Sequence, residues 1–120
     1  MGLEFRRVLF RSEDAFEQEV VRHPGTVLVD FFTAWCPPCR QVAPVLEQLC
    51  CENRSKLKVV KIDAVENPNV AAAHGVTAVP TIVLYERGVK KGQISGSQSK
   101  SEFEKWIRSE ERRVGKECRL

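Results

Sequence analysis

The sequence lacks several features that would assign a protein to a class at once. No apolar run approaches the roughly 18 residues of a membrane-spanning helix. The start of the chain has no cationic segment followed by an apolar one and a cleavage site, as a secretory signal would. A glycine-rich dinucleotide-binding fingerprint is missing. Aromatic residues make up only 8% of the chain and do not alternate with basic ones, which argues against nucleic-acid binding.

Cysteine is present in an odd number, five, which argues against a fully paired disulfide scaffold. A chain of 120 residues is long enough for one domain with its own core, so it does not need such a scaffold. We therefore expect a reducing compartment, the cytoplasm. Cys36 and Cys39 form one C-x-x-C pair, but a second such pair and a suitably spaced histidine pair are missing. Structural zinc needs four ligands, so we predict no metal.

The net charge of +3 comes from the two ends of the chain. Residues 13–107 carry 11 basic and 12 acidic side chains, a net charge of −1. The two ends each resemble the translation of a short-read sequencing adapter. We therefore predict that the native domain covers residues 13–107 and that residues 1–12 and 108–120 are non-native flanking segments. Any native targeting segment would then be missing from this sequence, which leaves a periplasmic or secreted location as the alternative.

Apolar patterning predicts that helices and strands alternate along the chain. The predicted strands are 26–32, 57–63, 79–85 and 90–95, and the predicted helices are 13–22, a helix from the cysteine pair to about residue 52, 67–74 and 99–107. Long connections in the first half imply parallel strands with right-handed crossovers. The tight turn near Gly88 implies an antiparallel hairpin. We therefore predict an α/β fold with three layers, a central mixed sheet and helices on both faces.

The segment from Trp35 to Cys39 falls between an apolar strand and a helix. Cys36 is therefore expected near a helix N-terminus, where backbone N–H groups and the helix dipole favour negative charge. A thiolate is stabilised in such a place and is the nucleophilic form of cysteine. Two cysteines at this spacing can close a small disulfide and reopen it, so the motif predicts a redox pair.

An ordered set of residues closely resembles the thioredoxin family. The set comprises Asp30 in an apolar strand, Trp35-Cys36-x-Pro38-Cys39, Pro44 in the following helix, Lys61 in the next strand, Val79-Pro80-Thr81, Gly88 and Gly96. The resemblance covers residues 13–107 and implies the thioredoxin fold and protein-disulfide reductase activity. It implies no cofactor besides the Cys36–Cys39 disulfide. It also implies disulfide-containing protein substrates, a thioredoxin reductase as electron donor, and a monomer without membrane attachment.

The resemblance gives roles to four residues in the chemistry. Cys36 attacks the substrate disulfide, and Cys39 resolves the mixed disulfide that results. Asp30, an acid in an apolar strand, relays a proton to or from Cys39, and Lys61 tunes the pKa of Asp30. The alternative for Asp30 is a buried ion pair without a catalytic part.

A second group of residues is assigned to substrate binding. This group is Trp35, Pro37, Pro38, Val79, Pro80 and Gly96. The resemblance implies that Pro80 is cis and that the Val79 backbone pairs with an extended substrate segment. The alternatives are that Trp35 is part of the core and that Pro80 is an ordinary trans proline at the entrance of a strand.

Two departures from the family pattern bear on function. Pro37 stands where most members have glycine, and Phe32 stands where most have tryptophan. Pro37 removes a backbone donor near Cys36, so we expect a changed reduction potential. Two other functions stay open. One is a periplasmic or membrane-anchored thiol reductase of the cytochrome-maturation type, whose members often carry Cys-Pro-Pro-Cys, and the other is a non-catalytic thioredoxin-fold binding module.

The remaining polar residues are expected to have no functional role. Of the adjacent Cys50 and Cys51, one should pack inward and one should face solvent. The two histidines are interpreted as unremarkable turn and helix-end residues. Four lysines are expected on a solvated surface: Lys56, Lys58, Lys90 and Lys91.

Overall fold

The structure is a computed structural model that describes residues 16–53 and 57–117. The elements in chain order are α1 (Glu17–Val21), β1 (Thr26–Phe32), α2 (Pro37–Asn53), β2 (Leu57–Asp63), α3 (Pro68–Ala73), β3 (Thr81–Glu86), β4 (Val89–Ser95) and α4 (Lys100–Glu117). The short α1 has a π-type turn, in which the Arg22 N–H donates to the Glu17 carbonyl at 2.9 Å. Residues 1–12, the start of the predicted first helix and Lys56 lie outside the described residues.

The described strands form one mixed sheet in the order β2-β1-β3-β4. Strand β1 pairs in parallel with β2, whereas β3 runs antiparallel to both β1 and β4. The long α2 connects the two parallel strands, because such strands need a crossover rather than a tight turn. Asp30, at the centre of β1, lies opposite Lys61 in β2 and Ile82 in β3. The predicted mixed α/β sheet is confirmed.

Two apolar clusters cover the two faces of the sheet. One face packs against α2 and α4 through Leu28, Val42, Leu46, Leu49, Cys50, Leu57, Val59, Ile82, Leu84 and Phe103. The other packs against α1 and α3 through Val20, Val27, Val29, Phe31, Val60, Ile62, Val70, Ala71, Val83 and Tyr85. Successive residues of a strand point to opposite faces, so β1, β2 and β3 each contribute to both clusters. These clusters make the three predicted layers.

Most described boundaries lie within one residue of the predictions, and the start of β3 and the end of α4 differ by more. Strand β3 begins at Thr81, so Val79 and Pro80 belong to the turn before it rather than to the strand. Proline has no N–H to offer a ladder of hydrogen bonds, which favours a strand start after Pro80. Helix α4 continues to Glu117, ten residues past the predicted end at Ile107. The non-native origin of residues 108–120 stays a prediction.

Lys58 is buried, and its predicted place on a solvated surface is wrong. Its side chain is only 5% exposed, and its ammonium lies 2.7 Å from the Glu19 carboxylate and 3.0 Å from the Glu19 carbonyl oxygen. Lys58 shares the sheet face of Val60, which α1 covers. A buried charge needs a partner, and α1 supplies one. The sequence of β2 alone does not show that α1 packs there.

His74, which was predicted to be a helix-end residue without a functional role, connects α3 to the sheet. Its Nδ1 lies 2.9 Å from the Val70 carbonyl and its Nε2 lies 2.7 Å from the Tyr85 hydroxyl. A carbonyl only accepts, so Nδ1 is protonated and Nε2 of the neutral ring accepts from Tyr85. Burial lowers the pKa of His74, which favours this neutral form. The role of His74 is therefore structural.

Candidate active site

The two cysteines of the motif lie where β1 gives way to α2. Cys36 immediately precedes α2 and Cys39 is the third residue of its first turn. A disulfide joins them, with the two Cα atoms 5.2 Å apart. Each residue is only 6% exposed. The two cysteines therefore have the same fractional exposure, and they differ in their position relative to the helix.

The backbone at the start of α2 donates a hydrogen bond to the sulfur of Cys36. Pro37 and Pro38 have no N–H, so Cys39 is the first residue of the helix with a backbone donor. That N–H donates to Cys36 Sγ at 3.2 Å. Within the described part of the chain, no hydrogen bond to Cys39 Sγ is found. Because an N–H directed at sulfur stabilises negative charge on it, the geometry favours the thiolate at Cys36 when the disulfide opens.

Asp30 is a buried acid in β1, on the sheet face that α2 covers. It is 1% exposed and lies on the sheet face of Leu28 and Ile82, the face that α2 covers. Among the described residues, neither carboxylate oxygen has a hydrogen-bond partner. Burial raises the pKa of Asp30 from 3.8 to about 6, and the charge of Lys61 opposes part of that rise. Asp30 can therefore change its protonation state near neutral pH.

Lys61 acts on Asp30 through space rather than through a bond. The two residues are opposite each other in the parallel ladder, but the described residues include no ion pair between them. The Lys61 ammonium instead lies 4.8 Å from the centroid of the Phe32 ring, a cation–π contact. The alternative interpretation of Asp30 as half of a buried ion pair finds no support in a direct contact, because neither Asp30 oxygen has a hydrogen-bond partner among the described residues.

Apolar side chains are exposed at the end of the sheet that carries the disulfide. Trp35 is 89% exposed, which rules out the alternative of core packing, and Pro37 and Pro38 are exposed as well. Val65, in the turn after β2, is 72% exposed. Its turn lies at the same end of the sheet, because the preceding Ala64 N–H donates to the Phe32 carbonyl at 2.8 Å. Sequence reasoning missed Val65, since an exposed valine has no distinguishing pattern.

The Val79-Pro80 peptide is cis, as the resemblance implies. Pro80 is buried and Val79 is half-buried. The Pro80 carbonyl accepts a hydrogen bond from the Gly96 N–H at 2.9 Å, so the turn before β3 and the segment after β4 are joined. Gly96 has a φ of 90°, a conformation that glycine adopts without strain. The structure thus brings Val79, Pro80 and Gly96 together.

Two further cysteines in the described part of the chain, Cys50 and Cys51, lie near the other end of α2. Cys50 is buried and its Sγ donates to the Leu57 carbonyl at 3.3 Å, whereas Cys51 is exposed, which confirms the expectation of one inward and one outward side chain. Within residues 16–53 and 57–117, no group of three or more His, Cys, Asp or Glu residues is placed to hold a metal ion. The helices in those ranges include none long and apolar enough to cross a membrane.

The fold and the site together define a thiol–disulfide oxidoreductase, because a C-x-x-C disulfide at a helix N-terminus next to a mixed sheet is built for disulfide exchange. The sequence model of the family described as Thioredoxin matches residues 7–109. The chain belongs to the thioredoxin family. It is a thioredoxin-type protein-disulfide oxidoreductase, whose redox group is a disulfide of its own chain.

Individual relatives agree with this assignment. The thioredoxin of Rickettsia bellii is 35% identical over 96 residues, which span 80% of this chain and 91% of the relative. The thioredoxin of Porphyra purpurea is 39% identical over 93 residues, 78% of this chain and 87% of the relative. A solved mutant thioredoxin from Halobacterium salinarum NRC-1 superposes with a TM-score of 0.77 at 32% identity, covering 90% of this chain and 91% of the other.

Proposed function

We propose that this chain works as a reductant of protein disulfides, with Cys36 as the attacking residue. The Cys36 thiolate attacks one sulfur of a substrate disulfide, a mixed disulfide forms, and the other substrate sulfur leaves as a thiolate. Cys39 then attacks Cys36 Sγ, the reduced substrate departs, and the Cys36–Cys39 disulfide remains. The observation that carries this order is the hydrogen bond from the Cys39 N–H to Cys36 Sγ.

Asp30 is proposed to take the proton that Cys39 must lose before it attacks. The thiol of Cys39 is a weak nucleophile until it is deprotonated. A carboxylate with a pKa of about 6 is ionised at neutral pH and is still a strong enough base to accept a proton. Asp30 lies on the sheet face that α2 covers, and its oxygens have no partner among the described residues, which supports a proton relay through water. The nearby charge of Lys61 keeps the pKa of Asp30 from rising further.

Substrate binding is proposed at the turns that surround the disulfide. An extended substrate segment would pair with the backbone of Val79, whose N–H has no hydrogen-bond partner within the described part of the chain. The exposed ring of Trp35 and the exposed rings of Pro37 and Pro38 would supply apolar contact, and Gly96 would border the segment on the other side. This surface suits extended polypeptide better than a small ligand.

The supply of electrons and the location are proposed from family membership. A thioredoxin reductase would return the Cys36–Cys39 disulfide to the dithiol after each cycle. The cytoplasm, where that disulfide can be kept reduced, is the proposed location, and the chain is proposed to act as a monomer.

The direction of the reaction is tested by the reduction potential of the Cys36–Cys39 pair. Potentials of such pairs run from about −270 mV for reductants to about −120 mV for strong oxidants. We expect a value in the reducing part of this range, below about −200 mV, from equilibration with glutathione buffers and counting of free thiols. Parallel assays should show that the protein accelerates insulin reduction by dithiothreitol. A potential near −120 mV, or no acceleration, would contradict the proposed role as a reductant.

A further inference from the structure

Thr81 makes two hydrogen bonds that the exchange reaction itself does not require. It is the first residue of β3, and its side chain is fully buried. Its hydroxyl donates to the Ala78 carbonyl at 2.6 Å and lies 3.2 Å from the Ser95 hydroxyl. A threonine hydroxyl has one hydrogen, which the Ala78 carbonyl uses, so Ser95 donates to Thr81. One buried hydroxyl thereby holds two segments of the chain.

Those two segments lie at the end of the sheet that carries the disulfide, because Thr81 pairs with Phe31 at the end of β1 that leads to Cys36. Ala78 belongs to the exposed turn that leads to Val79 and Pro80. Ser95 pairs with Thr81 at the end of β4 and is followed by Gly96, whose N–H donates to the Pro80 carbonyl. The Thr81 hydroxyl and the Gly96 amide therefore fix the turn before β3 from two directions.

The bond to Ala78 also fixes the direction of a neighbouring donor. The Ala78-Val79 peptide is trans, and in a trans peptide the carbonyl and the N–H point in opposite directions. With the Ala78 carbonyl turned inward onto Thr81, the Val79 N–H of the same peptide must point away from the core. That N–H has no partner within the described part of the chain, so it is free to donate to a substrate carbonyl.

We propose that Thr81 is a positioning residue for protein substrates: its hydroxyl holds the Ala78-Val79 peptide so that the Val79 N–H faces an incoming strand. This inference rests on the proposed pairing of substrate with the Val79 backbone and adds the residue that orients it. In this proposal Thr81 acts through the Ala78-Val79 peptide and not on the reacting sulfurs. It should therefore affect the binding of extended polypeptide disulfides and leave the reaction with small disulfides intact.

The test compares Thr81→Val, which keeps the shape and loses the hydroxyl, with Thr81→Ser, which keeps the hydroxyl. In the assay with insulin and dithiothreitol, we expect Thr81→Val to raise the KM for insulin about five- to tenfold, because one orienting hydrogen bond is lost. The kcat should be nearly unchanged. The second-order rate of the reduced protein with the small disulfide dithiobis-nitrobenzoate should stay within about twofold of wild type. Thr81→Ser should restore the insulin KM.

Matched controls separate positioning from loss of structure. Thr26→Val changes a half-buried threonine at the far end of the sheet and should leave both substrates unaffected. Thermal unfolding checks that Thr81→Val is folded. If it is not, Thr81→Ala, which also removes the hydroxyl, is used as the test variant instead. A parallel loss with both substrates, or an unchanged insulin KM, would overturn the inference. Failure of the wild-type protein to reduce insulin would instead overturn the proposed function, so the two failures are distinguishable.

Discussion

Replacing Cys36 with serine is expected to abolish disulfide reduction, by at least about a thousandfold in the insulin assay. A serine hydroxyl is not ionised at neutral pH and cannot form the mixed disulfide. Cys39 cannot replace it, because the one hydrogen bond that stabilises a sulfur anion at this helix start is directed at Cys36. The measurement is the rate of insulin precipitation with dithiothreitol as electron source.

The partner variant, Cys39→Ser, should behave differently. Its Cys36 still attacks, but without a resolving thiol the mixed disulfide persists, so substrate accumulates on the protein. Peptide mapping by mass spectrometry after reaction with dithiobis-nitrobenzoate should find a nitrothiobenzoate group retained on Cys36. Cys51→Ser, which removes an exposed cysteine far along α2, is the control and should retain full activity. A Cys36→Ser protein that accumulates the adduct on Cys39 at a comparable rate would reverse the assigned roles.

Asp30 is expected to make the protein less stable as pH rises. Its folded pKa of about 6 is above the ordinary 3.8, so the folded state holds a proton that the unfolded state has already released. This contribution is fully present below pH 3.8 and is lost as pH rises through about 6. The shift corresponds to about 3 kcal/mol of unfolding free energy. Asp30→Asn cannot titrate, so urea unfolding from pH 4 to pH 8 should show the variant gaining about 2.5 kcal/mol relative to wild type, because a small part of the contribution is already lost at pH 4.

The same variant should be slower in catalysis although it is more stable at neutral pH. Without a base behind α2, deprotonation of Cys39 is expected to slow by about a hundredfold, the usual loss for a positioned general base. Glu47→Gln, which removes an exposed carboxylate from α2, is the matched control and should follow the wild type in both assays. Parallel stability curves for Asp30→Asn and wild type would refute the buried, unpaired state of Asp30, and an unchanged rate would remove its relay role.

Local patterns predicted much of this fold and of its site. The apolar runs of β1 and β2 predict strands that are buried on both faces. The position of the cysteine pair between a strand and a helix predicts its place at the start of that helix. Residues whose chemistry is unusual for their surroundings, such as Asp30 in an apolar strand, were recognisable for the same reason. The family resemblance added Pro80 and Val79, which no local pattern would have connected to the cysteines.

Contacts between distant elements were not predictable. Lys58 is buried because α1 places Glu19, which is 39 residues away in sequence, over β2. The sequence of β2 contains no pattern that predicts this contact. His74 reaches Tyr85 only because α3 packs on that face of the sheet. The hydroxyl of Thr81 was visible in the motif, but its contacts with Ala78 and Ser95 depend on how a turn and two strands meet. Such information resides in tertiary packing rather than in sequence pattern.

The ionised state of Cys36 is tested most directly by alkylation of the reduced protein, with Cys51 as an internal standard. Both thiols are in one chain, and peptide mapping after brief exposure to iodoacetamide at pH 7 gives the rate at each. An ordinary cysteine is only a few per cent ionised at this pH, so a stabilised thiolate at Cys36 should react about tenfold faster than exposed Cys51. The advantage of Cys36 should shrink as pH rises toward about 9, where an ordinary cysteine is also ionised. Equal rates at pH 7 would contradict a thiolate held at the start of α2.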